Sequence, residues 1–272
     1  MRRNTLKARL AEGKACVGSW INLGGDPLSA RLLARAGFPW LCVDLEHSPI
    51  DWSQASTLFG LIAGAGCVPL CRVPEGTAEN VKRALDGGAW GIVAPMVNTV
   101  EQARSIISAC RYPPQGTRSV GGGSHYLSFS TSDADYKERA NEEIIVILQT
   151  ESPEGVDNAK EIYALPGCDA VFVGPNDLRW QMRPALGRAP TEEEFEAMME
   201  RVLEAGASTG TPVGIHTFSV ESARARAAQG FQFIALSSDV GFLSAGAAAA
   251  VKAVDDINEV AVDRVVGGLS KY

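Results

Sequence analysis

At 272 residues, 46% hydrophobic and 21% charged, the chain is long enough to bury the core of one α/β barrel and is ordinary for a globular protein. Its net charge of −7 argues against the basic footprint of a nucleic-acid binder. No apolar run approaches the roughly 20 residues that cross a bilayer, so neither nucleic acid nor membrane is an expected partner.

Taken in chain order, the basic stretch Met1–Leu10 gives way to strand-like sequence by Cys16, which leaves no room for an apolar signal core. Residues 1–15 are therefore expected as an amphipathic lead-in helix. Short apolar runs then alternate with amphipathic segments. Strands are expected over Cys16–Ile21, Trp40–Leu45, Val68–Arg72, Gly91–Ala94, Ile144–Gln149, Ala170–Val173, Pro212–Ile215 and Phe231–Leu236. Helical patterns fill Pro27–Ala36, Trp52–Ala65, Ala78–Asp86, Val100–Cys110, Gly155–Ala164, Glu192–Thr209 and Val220–Gln229, with an Ala-rich helix around Phe242–Val254. Near-continuous apolar strands in strict alternation with helices predict a parallel sheet, and eight of them favour a closed (β/α)8 TIM barrel of the α/β class. No glycine-rich dinucleotide fingerprint follows the first strand, which weakens a Rossmann alternative.

Residues 111–142, with Pro113-Pro114 and Gly121-Gly122-Gly123, form an insertion between the fourth helix and the fifth strand. In a barrel that is the face opposite the active-site loops. It reads as a surface excursion or subunit contact, or else as a loop that reaches a neighbouring subunit's mouth. Residues 255–272 read as a tail, and with no linker or repeat the whole of 1–272 is expected to be one domain. The 6 cysteines (Cys16, Cys42, Cys67, Cys71, Cys110 and Cys168) lie mostly in apolar runs. They suit buried free thiols in a reducing compartment, the cytoplasm, and Cys67 and Cys71 lack the neighbours a zinc site needs.

Barrel chemistry belongs at the C-terminal strand ends. Those ends carry Trp20 and Asn22, Asp44-Leu45-Glu46-His47, Arg72, Pro95-Met96, Gln149-Thr150-Glu151 and Gly174-Pro175-Asn176-Asp177. Asp177 alone could be a helix N-cap, and Glu151 alone a first-turn acid. Together, two carboxylates on adjacent strand ends call for a cation, and oxygen ligands suit Mg²⁺ or Mn²⁺, with Co²⁺ a third candidate. Asp44 and His47, three residues apart, are expected to pair, the carboxylate orienting the imidazole. Arg72 offers an always-charged fork to an oxyanion or carboxylate. His216 ends the seventh strand without an acidic neighbour, and His125 lies in the insertion. Lys7, Lys14, Lys82, Lys137, Lys160, Lys252 and Lys271 avoid strands and strand ends. Imine catalysis is therefore not expected, and metal-stabilised enolate chemistry remains. No organic cofactor is expected.

These stretches, with Gly18-Ser19-Trp20, Ala36-Gly37-Phe38-Pro39-Trp40, Arg72-Val73-Pro74, Ala94-Pro95-Met96-Val97, Arg111–Arg118 and Val171–Leu178, run in order over residues 16–245. The chain resembles the HpcH/HpaI aldolases, metal-dependent class II pyruvate aldolases. The resemblance implies a carbon–carbon lyase that reversibly cleaves 4-hydroxy-2-oxo acids to pyruvate and an aldehyde through an enolate, with oxaloacetate decarboxylation beside it. It implies metal ligation by Glu151 and Asp177, and acid/base work by His47 with Asp44. Arg72 would bind the 2-oxo oxygen, Gln149 and the backbone near Asn176 would contact pyruvate, and Trp20 and Phe172 would shape the pocket. A homohexamer is also implied. Ser119 and His216 depart from the family pattern, which leaves the aldehyde side least defined. Rival expectations are another lyase of the superfamily, macrophomate-synthase-like or acting on acyl-CoA, and a non-catalytic barrel that binds a keto acid.

Overall fold

The computed structural model describes residues 1–254. Eight parallel strands close into a barrel in sequence order, β1 (Cys16–Ile21), β2 (Trp40–Asp44), β3 (Val68–Arg72), β4 (Gly91–Ala94), β5 (Ile145–Thr150), β6 (Ala170–Val173), β7 (Val213–Thr217) and β8 (Phe233–Ser238). The lead-in helix α1 (Thr5–Ala11) precedes them. The outer ring is α2 (Pro27–Arg35), α3 (Trp52–Gly64), α4 (Ala78–Asp86) and α5 (Val100–Ala109), followed by α6 (His125–Ser128) and α7 (Asp133–Glu143) of the insertion. After β5 come α8 (Pro153–Asp157) and α9 (Ala159–Tyr163), and after β6 come α10 (Pro175–Gln181), α11 (Arg183–Leu186) and α12 (Glu192–Thr209). The ring ends with α13 (Val220–Gln229) and α14 (Asp239–Ala253). The expected TIM barrel is thus the fold. The tail at 255–272 lies outside the described residues.

Each connection follows from local chemistry. Helices α3, α5, α12 and α13 start with reciprocal caps, Asp51 with Gln54, Thr99 with Gln102, Thr191 with Glu194 and Ser219 with Ser222. Such caps satisfy backbone N–H groups that a helix leaves free at its first turn. Strands β2 and β5 are buried along their whole length, as a parallel sheet under helices requires. Down the barrel interior runs a column of aromatic contacts. Trp20 meets Phe172 edge-on with centroids 5.6 Å apart, Phe172 meets Phe233 at 5.6 Å, and Phe233 stacks on Trp40 at 4.3 Å. Gly18 makes room for that column, because a Cβ there would sit 2.1 Å from the Trp40 indole.

The insertion does not wander over the surface. It packs beneath the barrel, where Phe129 stacks on Trp90 with centroids 4.2 Å apart and Tyr136 is fully buried. Arg118, with no side-chain exposure, donates to Asp86 at 2.8 Å and to the Tyr136 hydroxyl at 3.0 Å. From α1, Asn4 Nδ2 donates to the Glu143 carbonyl at 2.9 Å, and the Glu143 carboxylate accepts from the Asn4 N–H. The insertion and α1 together floor the N-terminal end.

Candidate active site

At the opposite end the strand termini surround a cavity of about 650 Å³, lined by residues that include Trp20, Asp44, His47, Arg72, Gln149 and Asp177. Registry decides its first feature. Asp44 lies beside Arg72 across β2 and β3, and the two side chains form a bidentate pair, Nε to Oδ1 at 2.8 Å and Nη2 to Oδ2 at 2.6 Å. Asn22 Nδ2 adds a bond to Asp44 Oδ2 at 2.6 Å. Burial would raise the Asp44 pKa, but the hydrogen bonds and charge of Arg72 outweigh it and hold the carboxyl below its ordinary value. Burial likewise opposes the charge on Arg72, and Asp44 more than restores it, so its pKa is raised.

That pair corrects one expectation. Asp44 does not orient the His47 imidazole. From His47 its Oδ1 accepts the backbone N–H, at 3.2 Å, while the imidazole is 61% exposed with Nε2 3.8 Å from Glu46 Oε2. A spacing of three residues beyond a strand brought the His47 backbone to Asp44, and the bidentate guanidinium took the carboxylate.

The second feature is a convergence of acids. Glu151 Oε1 accepts the Met96 N–H at 2.7 Å, and Oε2 accepts from Gln149 Nε2. Met96 holds φ 51°, a left-handed turn at the end of β4 that a non-glycine residue adopts at some cost. Burial pushes the Glu151 pKa up to about 7, Met96 opposes this, and the charges of Asp177 and Glu46 add to it. Glu46 is also raised to about 7, by burial first, against Arg72, with Asp44 and Asp177 contributing. Glu46 was not singled out beforehand, although its two-residue offset from Asp44 places both on one face of an extended segment. Its Oε2 lies 3.2 Å from Arg72 Nη1, yet this oxygen and Gln149 Oε1 are buried without a hydrogen bond.

The donor set fits a hard divalent cation. Burial first, and then the like charges of their neighbours, make Glu46 and Glu151 bind protons too readily, and a cation among them would offset both effects. Gly174 leaves the space they share, since a Cβ there would lie 2.4 Å from Glu151 Oε2. Among the described residues no three His, Cys, Asp or Glu side chains form a ready-made cage. A site with few protein ligands, completed by water and substrate, is what Mg²⁺ favours.

Trp20 and Phe172 stand on the cavity wall, with the Arg72 guanidinium 4.7 Å above the Trp20 ring. Asn176 and Asp177 sit in the first turn of α10. His125 is remote, buried in the floor, with Nε2 3.3 Å from Asp133. Asp239 was also not anticipated. It is buried and accepts the backbone N–H groups of Asn22 at 2.8 Å and Leu23 at 3.1 Å, fixing the β1 exit that carries Asn22 to Asp44.

The model of the HpcH/HpaI aldolase/citrate lyase family matches residues 17–245. The chain belongs to that family. It is 38% identical over 241 residues to a hydroxypyruvate/pyruvate aldolase of Chromohalobacter salexigens, covering 89% of this chain and 93% of that one. It is 35% identical over 238 residues to a 5-keto-4-deoxy-D-glucarate aldolase of Shigella dysenteriae, covering 88% and 91%. A solved HpcH/HpaI family structure from Burkholderia cenocepacia superposes with a TM-score of 0.84 at 36% identity, covering 93% and 99%. As a member of the HpcH/HpaI family with aldolase relatives over nearly its whole length, the chain is a lyase of aldolase type. Among the described residues no helix is long and apolar enough to cross a membrane.

Proposed function

We propose that this HpcH/HpaI barrel reversibly cleaves 4-hydroxy-2-oxo acids to pyruvate and an aldehyde, with a divalent cation held by Glu151 and Asp177. The observation that carries the reading is the acid cluster, Glu46, Glu151 and Asp177, gathered beside one arginine whose charge Asp44 already balances. The ion, when bound, supplies Lewis acidity toward the carboxylate and 2-oxo group of the substrate.

The protein's own part follows from the geometry. Asp44 fixes the plane of the Arg72 guanidinium, so its charge needs no reorientation when negative charge develops on the 2-oxo oxygen. Gln149, by donating to Glu151, keeps that carboxylate turned to the cavity. Trp20 and Phe172 exclude water around the fragment that becomes pyruvate, and Asn176 borders it. His47, exposed at the mouth and close to Glu46 rather than Asp44, takes the proton of the C4 hydroxyl. The C3–C4 bond then breaks, its electron pair passing to the pyruvate fragment as the aldehyde carbonyl forms. Protonation at C3 completes cleavage. Oxaloacetate losing carbon dioxide would leave the same fragment, so its decarboxylation belongs to the same proposal. Exposed Leu28 and Leu32 on α2 and Leu243 and Val251 on α14 support assembly into a homo-oligomer, a hexamer on the resemblance.

The test is pyruvate release from 4-hydroxy-2-oxo acids, coupled to lactate dehydrogenase, after EDTA treatment and then with Mg²⁺, Mn²⁺ or Co²⁺ restored. Activity lost with EDTA and regained with metal is expected. Full activity in EDTA, from protein free of metal by elemental analysis, would overturn the assignment of Glu151 and Asp177.

A further inference from the structure

His216 closes β7 and lines the same cavity as Arg72, Gln149 and Asp177. The indole Nε1–H of Trp20 donates to its Nδ1 at 3.0 Å. An indole nitrogen can only donate, so Nδ1 has to be the unprotonated nitrogen, and the one proton of the neutral ring sits on Nε2. Burial, and then the positive charge of Arg72, drive the imidazole pKa down to about 4, so the ring stays neutral near pH 7. Trp20 is itself fixed by Phe172 and Arg72, and Phe218 packs edge-on against His216 with centroids 4.6 Å apart. The tautomer and the ring plane are therefore both set by neighbours.

The groups assigned to pyruvate come from β3, β5 and the β6 end. The β7–β8 wall of the cavity carries Phe218 and Val240, which are apolar, and Ser238. The Ser238 hydroxyl accepts the Gly241 N–H at 3.1 Å in capping α14, and its own O–H stays free to rotate. The Nε2–H of His216 is the donor on that wall whose direction is set by its neighbours. We infer that His216 is a specificity-determining residue whose Nε2–H binds an oxygen substituent on the aldehyde component, so that hydroxylated aldehydes are selected over alkyl aldehydes of the same size. The inference rests on the aldolase reading above.

The experiment follows addition of pyruvate to glycolaldehyde and to propionaldehyde, which differ by a hydroxyl in place of a methyl group. Wild-type enzyme is compared with His216→Leu and His216→Gln. One hydrogen bond to a neutral hydroxyl gives about a tenfold preference in kcat/KM for glycolaldehyde. His216→Leu is expected to erase it, and His216→Gln, which keeps an N–H donor, to recover part. Nitrogen-15 spectra of the wild-type imidazoles, with 3 histidines to assign, should show His216 protonated at Nε2 and that resonance moving when glycolaldehyde is added with pyruvate. These spectra and His216→Gln decide the matter if the leucine variant does not fold. An unchanged aldehyde preference in a folded variant, or a proton on Nδ1, overturns the role of His216 and leaves the aldolase reading standing. Failure of the wild type to form product from either aldehyde, together with failure to cleave 4-hydroxy-2-oxo acids, removes both.

Discussion

The two ends of the barrel handle buried charge in opposite ways. At the floor, opposite charges meet. Arg118 lies against Asp86, and Arg111 and Lys7 both reach Asp169, at 2.8 and 3.1 Å. The Arg118 guanidinium also lies over the rings of Tyr112 and Tyr136. At the mouth, Asp44 and Arg72 match each other, but Glu46, Glu151 and Asp177 are brought together with the same sign. Single buried atoms without partners occur at both ends, for example Tyr112 Oη and Gln149 Oε1. They do not distinguish the ends, whereas charge balance does. A floor of paired charges holds the fold in place, and a mouth with surplus negative charge is where the proposed cation would sit.

Substitutions should break that contrast in a graded way. The largest effect is expected from Glu151→Gln, which should lower kcat/KM for pyruvate release by about 10³-fold. In EDTA the same variant should melt at a higher temperature than wild type, because one of three mutually repelling acids is gone. An active variant with no gain in Tm would mean that the mouth is not organised around surplus charge.

Arg118→Met at the floor should do the reverse. Removing one partner of a buried pair costs about 3 kcal/mol, visible in urea unfolding, while kcat/KM stays at the wild-type value. A catalytic defect in a folded Arg118→Met enzyme would show the two ends to be coupled.

The smallest effect sharpens the mouth further. Burial and then Arg72 push the His216 pKa down to about 4 in the folded state, against 6.5 for an ordinary histidine. Between these values the unfolded chain binds more protons than the folded one, so stability falls as pH falls. Linkage gives about 2 kcal/mol lost between pH 7.5 and pH 5 from this ring. His216→Gln should lack that component in paired urea titrations, and an identical pH slope in both proteins would contradict it.

Much of the barrel was legible because its strands are apolar runs between capped helices. β1, β3, β4 and β6 begin and end where their hydrophobic runs do. β7 and β8 extend two residues further than those runs, through His216-Thr217 and Ser237-Ser238, because polar residues at a functional mouth look like loop. The single helix expected over Gly155–Ala164 is divided at Asn158, whose amide donates to the Asn98 carbonyl at 2.8 Å, a contact between distant segments that periodicity does not encode. The acids and the arginine of the mouth could be named from strand-end position. Their pairing could not, because the β2–β3 register, rather than nearness in sequence, gave Asp44 to Arg72 and left His47 to Glu46.

The attachment of α1 also bears on the timing of synthesis. Asn4 bonds to Glu143 across a separation of 139 residues. At about 5–20 residues per second, roughly 7 to 28 s pass between translation of the two partners. Over that interval α1 is without the partner to which Asn4 ties it in the folded chain.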